Sequence, residues 1–180
     1  MNRVPGVLKT RVIVLACLGL GLVAVHPAAA REQVAVLSVP KADRVIVLKT
    51  ERKLVVLRGD RILRVFRVAL GRYAKGPKRR QGDARTPEGV YTLDRKLQDS
   101  AFYRAIHISY PNERDLRHAQ AQGVDPGGRI MIHGLPNKMS AERVGHPSID
   151  WTQGCIAVTN REMDILWKMI EPGTPIEIHP

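Results

Sequence analysis

The chain has 180 residues, of which 44% are hydrophobic and 26% are charged, and its formal net charge is +12. This length accommodates one domain with a single hydrophobic core, preceded by a short leader. Only one of the two cysteines follows the leader, which excludes an internal disulfide in the rest of the chain.

The first 30 residues have the three regions of a secretory signal peptide. Three basic and no acidic residues stand in the first eleven positions, the apolar run 12–25 follows, and Ala28 and Ala30 form a small-x-small cleavage pattern. The run is short for a transmembrane helix, and the cleavage pattern favours removal of the leader over an uncleaved anchor. We therefore expect an exported protein of the periplasm or cell wall, held at a membrane only by an uncleaved leader.

The remainder of the chain is basic, with 26 Lys and Arg against 17 Asp and Glu. Such a surplus suits nucleic acid, anionic lipid or an anionic polymer. Export disfavours nucleic acid, whereas the carboxylates of cell-wall stem peptides are acidic groups that an exported protein meets. The charge could also serve solubility alone.

After a short lead-in over residues 31–43, the domain is predicted to span residues 44–180. Its first part alternates as β-strands do: residues 44–49 and 53–58 form a predicted hairpin, and residues 62–70 form a third strand. A loop rich in glycine, proline and basic residues follows.

The middle of the chain continues this pattern. Two strands are predicted at residues 90–94 and 105–109, followed by a short helix at residues 112–122. Residues 129–133 alternate again, and residues 134–151 form a long loop with two prolines and two glycines.

The segment around the second cysteine also alternates. Over residues 155–158, Ile156 and Val158 are expected to face inward, which places Cys155 and Ala157 on the opposite face.

The chain closes with one helix and a last strand. Thr159 and Glu162 match a capping box at the helix start, Pro172-Gly173 ends the helix, and residues 175–179 alternate. Many short strands, one or two short helices and no repeat predict a mainly β single domain, either a β-sandwich or a partly closed barrel of mixed sheets.

Cys155 and His133 are the residues whose surroundings suggest chemistry. Cys155 follows Gly154 between a loop and a strand, where a sharp turn can expose a nucleophile and aim backbone amides at an oxyanion. His133 ends another strand on the face away from the core, where it could meet the thiol. A thiol of ordinary pKa, about 8.5, is mostly protonated at neutral pH and benefits from a neighbouring imidazole.

Two plainer interpretations compete with this one. Cys155 could be a small core residue and His133 a hydrogen-bonded histidine at a strand end. Alternatively, both could bind a metal ion together with His146, although their spacing fits no compact zinc motif. We therefore expect no metal site.

Residues 132–134 (Ile-His-Gly) and residues 152–156 (Thr-Gln-Gly-Cys-Ile) resemble the signature of the L,D-transpeptidase (YkuD-like) catalytic domain. That signature is a His-Gly followed downstream by Ser/Thr-x-Gly-Cys. Residues 86–91 and Tyr110-Pro111-Asn112 also resemble segments of this family, the latter in a subgroup of small exported members. The resemblance runs from about residue 44 to the end of the chain.

The resemblance implies a mainly β fold with Cys155 and His133 at the mouth of a cleft. It implies that Cys155 attacks a peptidoglycan tetrapeptide stem, releases the terminal D-Ala and passes the acyl group from a thioester to an amine, with His133 moving the protons. The Gly134 carbonyl would orient His133, and the backbone amide of Gly154 would stabilise the oxyanion. The implied mechanism needs no metal or cofactor. A wall-linked protein could be the acceptor, and carbapenems should acylate Cys155.

The resemblance also suggests substrate contacts. Tyr110 and Thr152 would line the cleft, and Gln153 stands where many members carry His. Trp151 and His146 lie in the long loop, either as substrate contacts or as loop anchors. The loop itself could form a lid or a distinct acceptor site.

One departure from the family concerns Ala157, where many members carry Arg or Asn. Because this position is expected to share the face of Cys155, a carboxylate contact to the donor stem is expected to be missing.

Rival functions remain open at this point. The acceptor could be water, which would make the protein an L,D-carboxypeptidase or a hydrolase that releases wall-linked proteins. A second rival is a non-catalytic cell-wall-binding β domain, in which Cys155 would be inert. A lipid-surface binder rests on the positive charge alone.

Overall fold

The predicted strands form one mixed sheet of eight strands in the computed structural model, which describes Met1 and residues 38–180. The predicted signal peptide and most of the lead-in lie outside the described residues. The strands are β1 Arg44–Leu48, β2 Lys53–Arg58, β3 Arg61–Arg67, β4 Gly89–Ser100, β5 Tyr103–Ile108, β6 Met131–His133, β7 Ile156–Ala157 and β8 Thr174–His179. The helices are α1 Glu113–Ala121, α2 Ala141–Val144 and α3 Asn160–Met169.

The order of strands in the sheet is β3-β2-β1-β8-β4-β5-β6-β7. Neighbours are antiparallel except for two parallel pairs, β1 with β8 and β6 with β7. The sheet curls so far that Ala69, just after the edge strand β3, pairs with Ala157 of the opposite edge strand β7. This single curled sheet confirms the partly closed barrel and excludes the alternative of two stacked sheets.

Apolar side chains that alternate along the strands fill the inside of the curled sheet. Val45 and Val47 of β1 are fully buried, and Ile176 and Ile178 of the adjacent β8 are at most 2% exposed. Each such side chain stabilises the fold by about 1.5–3 kcal/mol relative to an exposed one. The burial of every second residue agrees with the period-two alternation of these two strands.

Helix α3 begins at the predicted capping box. The Thr159 hydroxyl accepts from the Glu162 amide, and the Glu162 carboxylate accepts from the Thr159 amide. Met163 and Leu166 are fully buried against the core. Trp167 of the same helix is only partly buried, and cationic side chains from two neighbouring strands lie over its indole.

Several elements differ in extent from those expected. β4 extends to Ser100 instead of ending near residue 94, because its second half pairs with β5. β3 ends at Arg67, and the long loop contains the one-turn helix α2, which Ser140 caps.

Residues 38–180 belong to one compact unit. Within the described part of the chain, no helix has the length and apolarity needed to cross a membrane.

Candidate active site

The loop that carries Cys155 is held by backbone hydrogen bonds to the segment after β3. The Thr152 amide donates to the Leu70 carbonyl, and the Thr152 carbonyl accepts from the Arg72 amide, both at 3.1 Å. The Thr152 hydroxyl accepts from the Gly154 amide at 3.1 Å and donates to the Cys155 carbonyl at 2.7 Å. The Thr152 hydroxyl thus bridges two backbone groups of the turn and stabilises it.

Gly154 forms the sharp turn that the sequence predicts. Its φ is +125°, and a Cβ at this position would lie 2.6 Å from the Arg85 carbonyl oxygen, so only glycine fits. The Gly154 amide, which the resemblance assigns to an oxyanion, donates to the Thr152 hydroxyl in this structure. Among the described residues, the backbone amides of Gln153 and Cys155, which flank Gly154, have no hydrogen-bond acceptor and are free donors near the thiol.

An ion pair that sequence reasoning missed anchors the same loop. The Asp150 carboxylate accepts from the Arg52 guanidinium at 2.8 Å and from the Leu70 amide at 3.0 Å, and its side chain is 8% exposed. Arg52 lies in the turn between β1 and β2. No local pattern reveals this partnership, because the two residues are 98 positions apart.

His133 ends β6 and is buried, whereas the sequence suggested a side chain pointing away from the core. Its Nδ1 donates to the Gly134 carbonyl oxygen at 2.7 Å, which leaves Nε2 of the neutral ring unprotonated. The rings of Phe102 and Trp151 lie 4.5 Å and 5.6 Å from the imidazole, centroid to centroid. Burial lowers the pKa of His133 to about 4, although the hydrogen bond to Gly134 acts to raise it. The imidazole is therefore neutral near pH 7.

The thiol of Cys155 is half-buried and donates to the Arg129 carbonyl oxygen at 3.7 Å. It makes no hydrogen bond to His133 in this structure. Burial raises the pKa of the Cys155 thiol, and the Met131 amide and the Lys78 ammonium act in the opposite direction. The resting pair is thus a neutral thiol beside a neutral imidazole, and the thiol must turn away from the Arg129 carbonyl to reach the ring.

Cys155 and His133 line the same cavity, of about 490 Å³, which we call the apolar cavity. Its other lining residues are Phe102, Pro136, Met139, Val144, Trp151, Thr152 and Gln153. Several of these come from the long loop after β6, so this loop forms one wall over the thiol and the imidazole.

Two further cavities reach Cys155 from other sides. The polar cavity, about 470 Å³, is lined by Lys78, Gln81, Gly82, Asp125, Gly127, Gly128, Arg129, Ile130, Gln153 and Cys155. A cavity of about 340 Å³ beside β4 and β5 is lined by Leu97, Asp99, Ser100, Ala101, Phe102, Ala105, Arg129, Met131 and Cys155. The thiol therefore stands where three cavities meet.

The structure brings together part of the predicted substrate contacts. Trp151, Thr152 and Gln153 line the apolar cavity. Tyr110 does not, because it is 4% exposed and its hydroxyl donates to the Pro126 carbonyl. Tyr110 is therefore corrected from a cleft residue to a core residue that supports the segment beside the polar cavity.

Two more expectations are corrected. His146 is buried, donates its amide to the Ala141 carbonyl and lines none of the three cavities, so it is a loop anchor. Ala157 does not share an open face with Cys155, because it is fully buried where it pairs with Ala69.

The proposed alternative of a metal site can be compared with the positions of possible ligands. In the part of the chain that the structure describes, no three His, Cys, Asp or Glu side chains are placed to hold a metal ion together.

Sequence reasoning missed three side chains around the thiol. Phe102, from the turn between β4 and β5, contacts the His133 ring. Lys78 is buried and pairs with Asp83 at 2.9 Å, although its segment reads as an ordinary basic loop. Arg129 reaches the site from the end of a Gly-Gly-Arg sequence, and the two glycines are the signal that could have marked it.

Comparison with known proteins gives a family match over most of the chain. The family described as YkuD, L,D-transpeptidase catalytic domain, matches residues 42–178. The protein named "Putative L,D-transpeptidase YafK" from Escherichia coli strain K12 is 32% identical over 114 residues, which cover 58% of this chain and 39% of YafK. The chain thus spans less than half the length of that relative.

Two solved structures share the fold. The helical cell shape determining protein Pgp2 from Campylobacter jejuni is 25% identical, with a TM-score of 0.58, and the match covers 78% of this chain and 48% of Pgp2. An L,D-transpeptidase from Xylanimonas cellulosilytica is 18% identical, with a TM-score of 0.51, over 78% of this chain and 61% of that one. The second likeness concerns the fold alone.

Proposed function

Since the chain belongs to the L,D-transpeptidase catalytic-domain (YkuD) family, we propose that it is an exported cysteine acyltransferase of peptidoglycan stem peptides. The donor is a tetrapeptide stem that loses its terminal D-Ala. The acceptor is an amine of a neighbouring stem or of a wall-linked protein. The observation that carries this proposal is the half-buried Cys155 thiol in one cavity with a neutral imidazole, whose Nδ1 is held by the Gly134 carbonyl.

The first half-reaction acylates the cysteine. Nε2 of His133 takes the proton of the Cys155 thiol as the sulfur attacks the carbonyl carbon that precedes D-Ala. The C–S bond forms, and the free amides of Gln153 and Cys155 stabilise the oxyanion. On collapse the C–N bond breaks, His133 returns the proton to the departing amine, D-Ala leaves and a thioester remains.

The second half-reaction transfers the acyl group. The acceptor amine attacks the thioester carbonyl and gives a proton to His133, which passes it to the departing Cys155 sulfur. A new amide bond forms and the free thiol is restored. The aromatic rings of Phe102 and Trp151 beside His133 keep this part of the site apolar, which disfavours water as the competing acceptor.

A hydrolytic variant of the same chemistry has one supporting observation. Gln153 is exposed and lines both the apolar and the polar cavity. Its amide can hold a water molecule beside the thioester, since it offers both a donor and an acceptor. The protein would then trim stems or release wall-linked proteins.

Incubation of the protein with a disaccharide-tetrapeptide, with products identified by mass spectrometry, tests the proposal. We expect a cross-linked dimer and free D-Ala, neither of which should form with Cys155→Ala. Tripeptide without dimer would identify water as the acceptor. A Cys155→Ala variant that still forms dimer would overturn the assignment.

A carbapenem provides a check that does not depend on the acceptor. Its strained carbonyl should acylate Cys155, and intact-protein mass spectrometry should show the adduct on the wild type and none on Cys155→Ala. Absence of both adduct and turnover would favour the non-catalytic wall-binding domain.

A further inference from the structure

Arg129 combines three features that the mechanism above does not use. Its side chain is exposed, and it makes no hydrogen bond or salt bridge with any residue that the structure describes. It lines both the polar cavity and the cavity beside β4 and β5, each of which opens onto Cys155. Its own carbonyl oxygen lies 3.7 Å from the Cys155 sulfur. An uncompensated cation thus stands next to the nucleophile.

The backbone of Arg129 is held in an unfavourable conformation. Its φ is +57°, in the left-handed region that residues with a Cβ seldom adopt. Gly127 and Gly128 precede it, and a third glycine would take this conformation without strain. Strained residues of this kind cluster at ligand-binding sites. Arg129 therefore occupies a position at which the backbone conformation favours glycine.

Among the described residues that line these two cavities, Arg129 is the cation that no carboxylate neutralises. Lys78 is 4% exposed at its side chain and is neutralised by Asp83 at 2.9 Å. Asp125 accepts from the Gly127 amide, and Asp99 forms no salt bridge with any described residue, Arg129 included. Ala157 is buried and carries no charge, so the strand after the cysteine offers no alternative.

We propose that Arg129 binds the terminal carboxylate of the acyl donor and so positions the leaving D-Ala. This inference rests on the proposed function. In a D-Ala-terminated stem, the carboxylate is three bonds from the carbonyl carbon that Cys155 attacks. The backbone of Arg129 contacts the thiol, so its side chain is long enough to reach that carboxylate. The planar guanidinium can donate to both carboxylate oxygens.

A matched substrate pair tests the role of Arg129. The tetrapeptide stem with a free terminal carboxylate is compared with the same stem ending in D-alaninamide, and kcat/KM for D-Ala or D-alaninamide release is measured. The wild type should prefer the acid by about 10- to 100-fold, the effect of one charge-assisted contact. Arg129→Gln should remove this preference, and Arg129→Lys should keep part of it. Arg61→Gln, which removes an exposed charge that lines none of the three cavities, should leave the preference intact.

A second measurement separates this inference from the proposed function. Iodoacetate and iodoacetamide both alkylate the Cys155 thiolate, and they differ in carrying a carboxylate or a neutral amide. The ratio of the two rates is independent of the thiolate fraction, and Arg129→Gln should lower it about three- to tenfold.

The outcomes are distinguishable. Wild-type protein that turns over neither stem contradicts the proposed function, and the alkylation ratio still decides the role of Arg129. An Arg129→Gln variant that keeps the preference for the acid stem, or an alkylation ratio equal to that of the wild type, overturns the inference.

Discussion

Cys155 and His133 are both uncharged in the resting site. Burial raises the pKa of the thiol and lowers the pKa of the imidazole, so both effects oppose a preformed thiolate–imidazolium pair. The bond from Nδ1 to the Gly134 carbonyl leaves Nε2 as the proton acceptor. We infer that proton transfer to His133 accompanies attack by the sulfur and does not precede it.

The burial of His133 makes the folded protein sensitive to acid. Its folded pKa of about 4 lies below the ordinary value of 6.5, so the unfolded chain binds more protons between these values. The contribution of neutral His133 to the free energy of unfolding is therefore fully present above about pH 6.5, and it is lost as the pH falls through about 4. His133→Asn cannot titrate but can still donate to the Gly134 carbonyl.

We expect the free energy of unfolding of the wild type to fall by about 3 kcal/mol more than that of His133→Asn between about pH 7.5 and pH 4. Urea unfolding at the two pH values measures this difference. Because all other titrating groups are shared by the two proteins, equal losses would show that His133 does not titrate as its burial requires.

At the scale of elements, the parallel pairing of β6 with β7 brings the two candidate catalytic residues, Cys155 and His133, together. Ile132 lies opposite Ile156 in this register, and Cys155 directly precedes β7. His133 and the thiol are therefore diagonal neighbours across two strands, although 22 positions separate them in the chain. Parallel strands require a crossover connection, and here the long loop with α2 provides it and also forms a wall of the apolar cavity.

The Arg52–Asp150 pair joins the cysteine loop to the β1–β2 turn and supports the position of the thiol. Arg52→Met removes the cation and leaves Asp150, whose side chain is 8% exposed, with the Leu70 amide as its remaining partner. We expect a loss of about 1–2 kcal/mol in the free energy of unfolding and a several-fold change in the rate of Cys155 alkylation.

Lys53→Met is the matched control, because its ion pair with Glu51 is exposed on both sides. Its effect on stability should stay within about 0.5 kcal/mol, and the alkylation rate should not change. If Arg52→Met behaves like this control in both measurements, the ion pair does not position the loop.

At the scale of the whole molecule, the site lies on the seam where the curled sheet nearly closes. Ala69 and Ala157 exchange two backbone hydrogen bonds, of 3.0 Å and 2.8 Å, across this seam. Gly71 pairs with Thr152 a little further along. The seam therefore holds the cysteine loop against the segment after β3, so closure of the sheet and placement of Cys155 depend on the same contacts.

Gly71→Ala tests that dependence. A Cβ at this position would lie 2.3 Å from the Ala84 carbonyl oxygen and 3.0 Å from the Gly154 Cα, so backbone on both sides must move. We expect a loss of about 2–3 kcal/mol in the free energy of unfolding together with slower alkylation of Cys155. Gly128→Ala is the control, since its Cβ would meet nothing closer than 3.9 Å and its φ is not in the left-handed region. Thermal unfolding that affects both variants equally would contradict the role of the seam.

Much of the fold could be predicted from the sequence, which also singled out Cys155 and His133, the candidate pair that lines one cavity. Period-two alternation identified the strands, because a strand with one buried face must place apolar residues at every second position. The capping box of α3 is a contact between residues three positions apart, Thr159 and Glu162, and so is visible locally. Likewise, Gly154 could be assigned to a sharp turn from its place before Cys155.

The tertiary structure alone decided what each part of the site contacts. Ala157 and Tyr110 are buried by contacts with chain segments distant in sequence. The Gly154 amide donates to Thr152 because of the path that this turn takes. That Arg129 has no ion-pair partner among residues 38–180 was also invisible in the sequence, because pairing depends on which distant side chains lie nearby. Local patterns report the conformational preferences of neighbouring residues, whereas burial, charge compensation and pKa depend on how distant segments pack together.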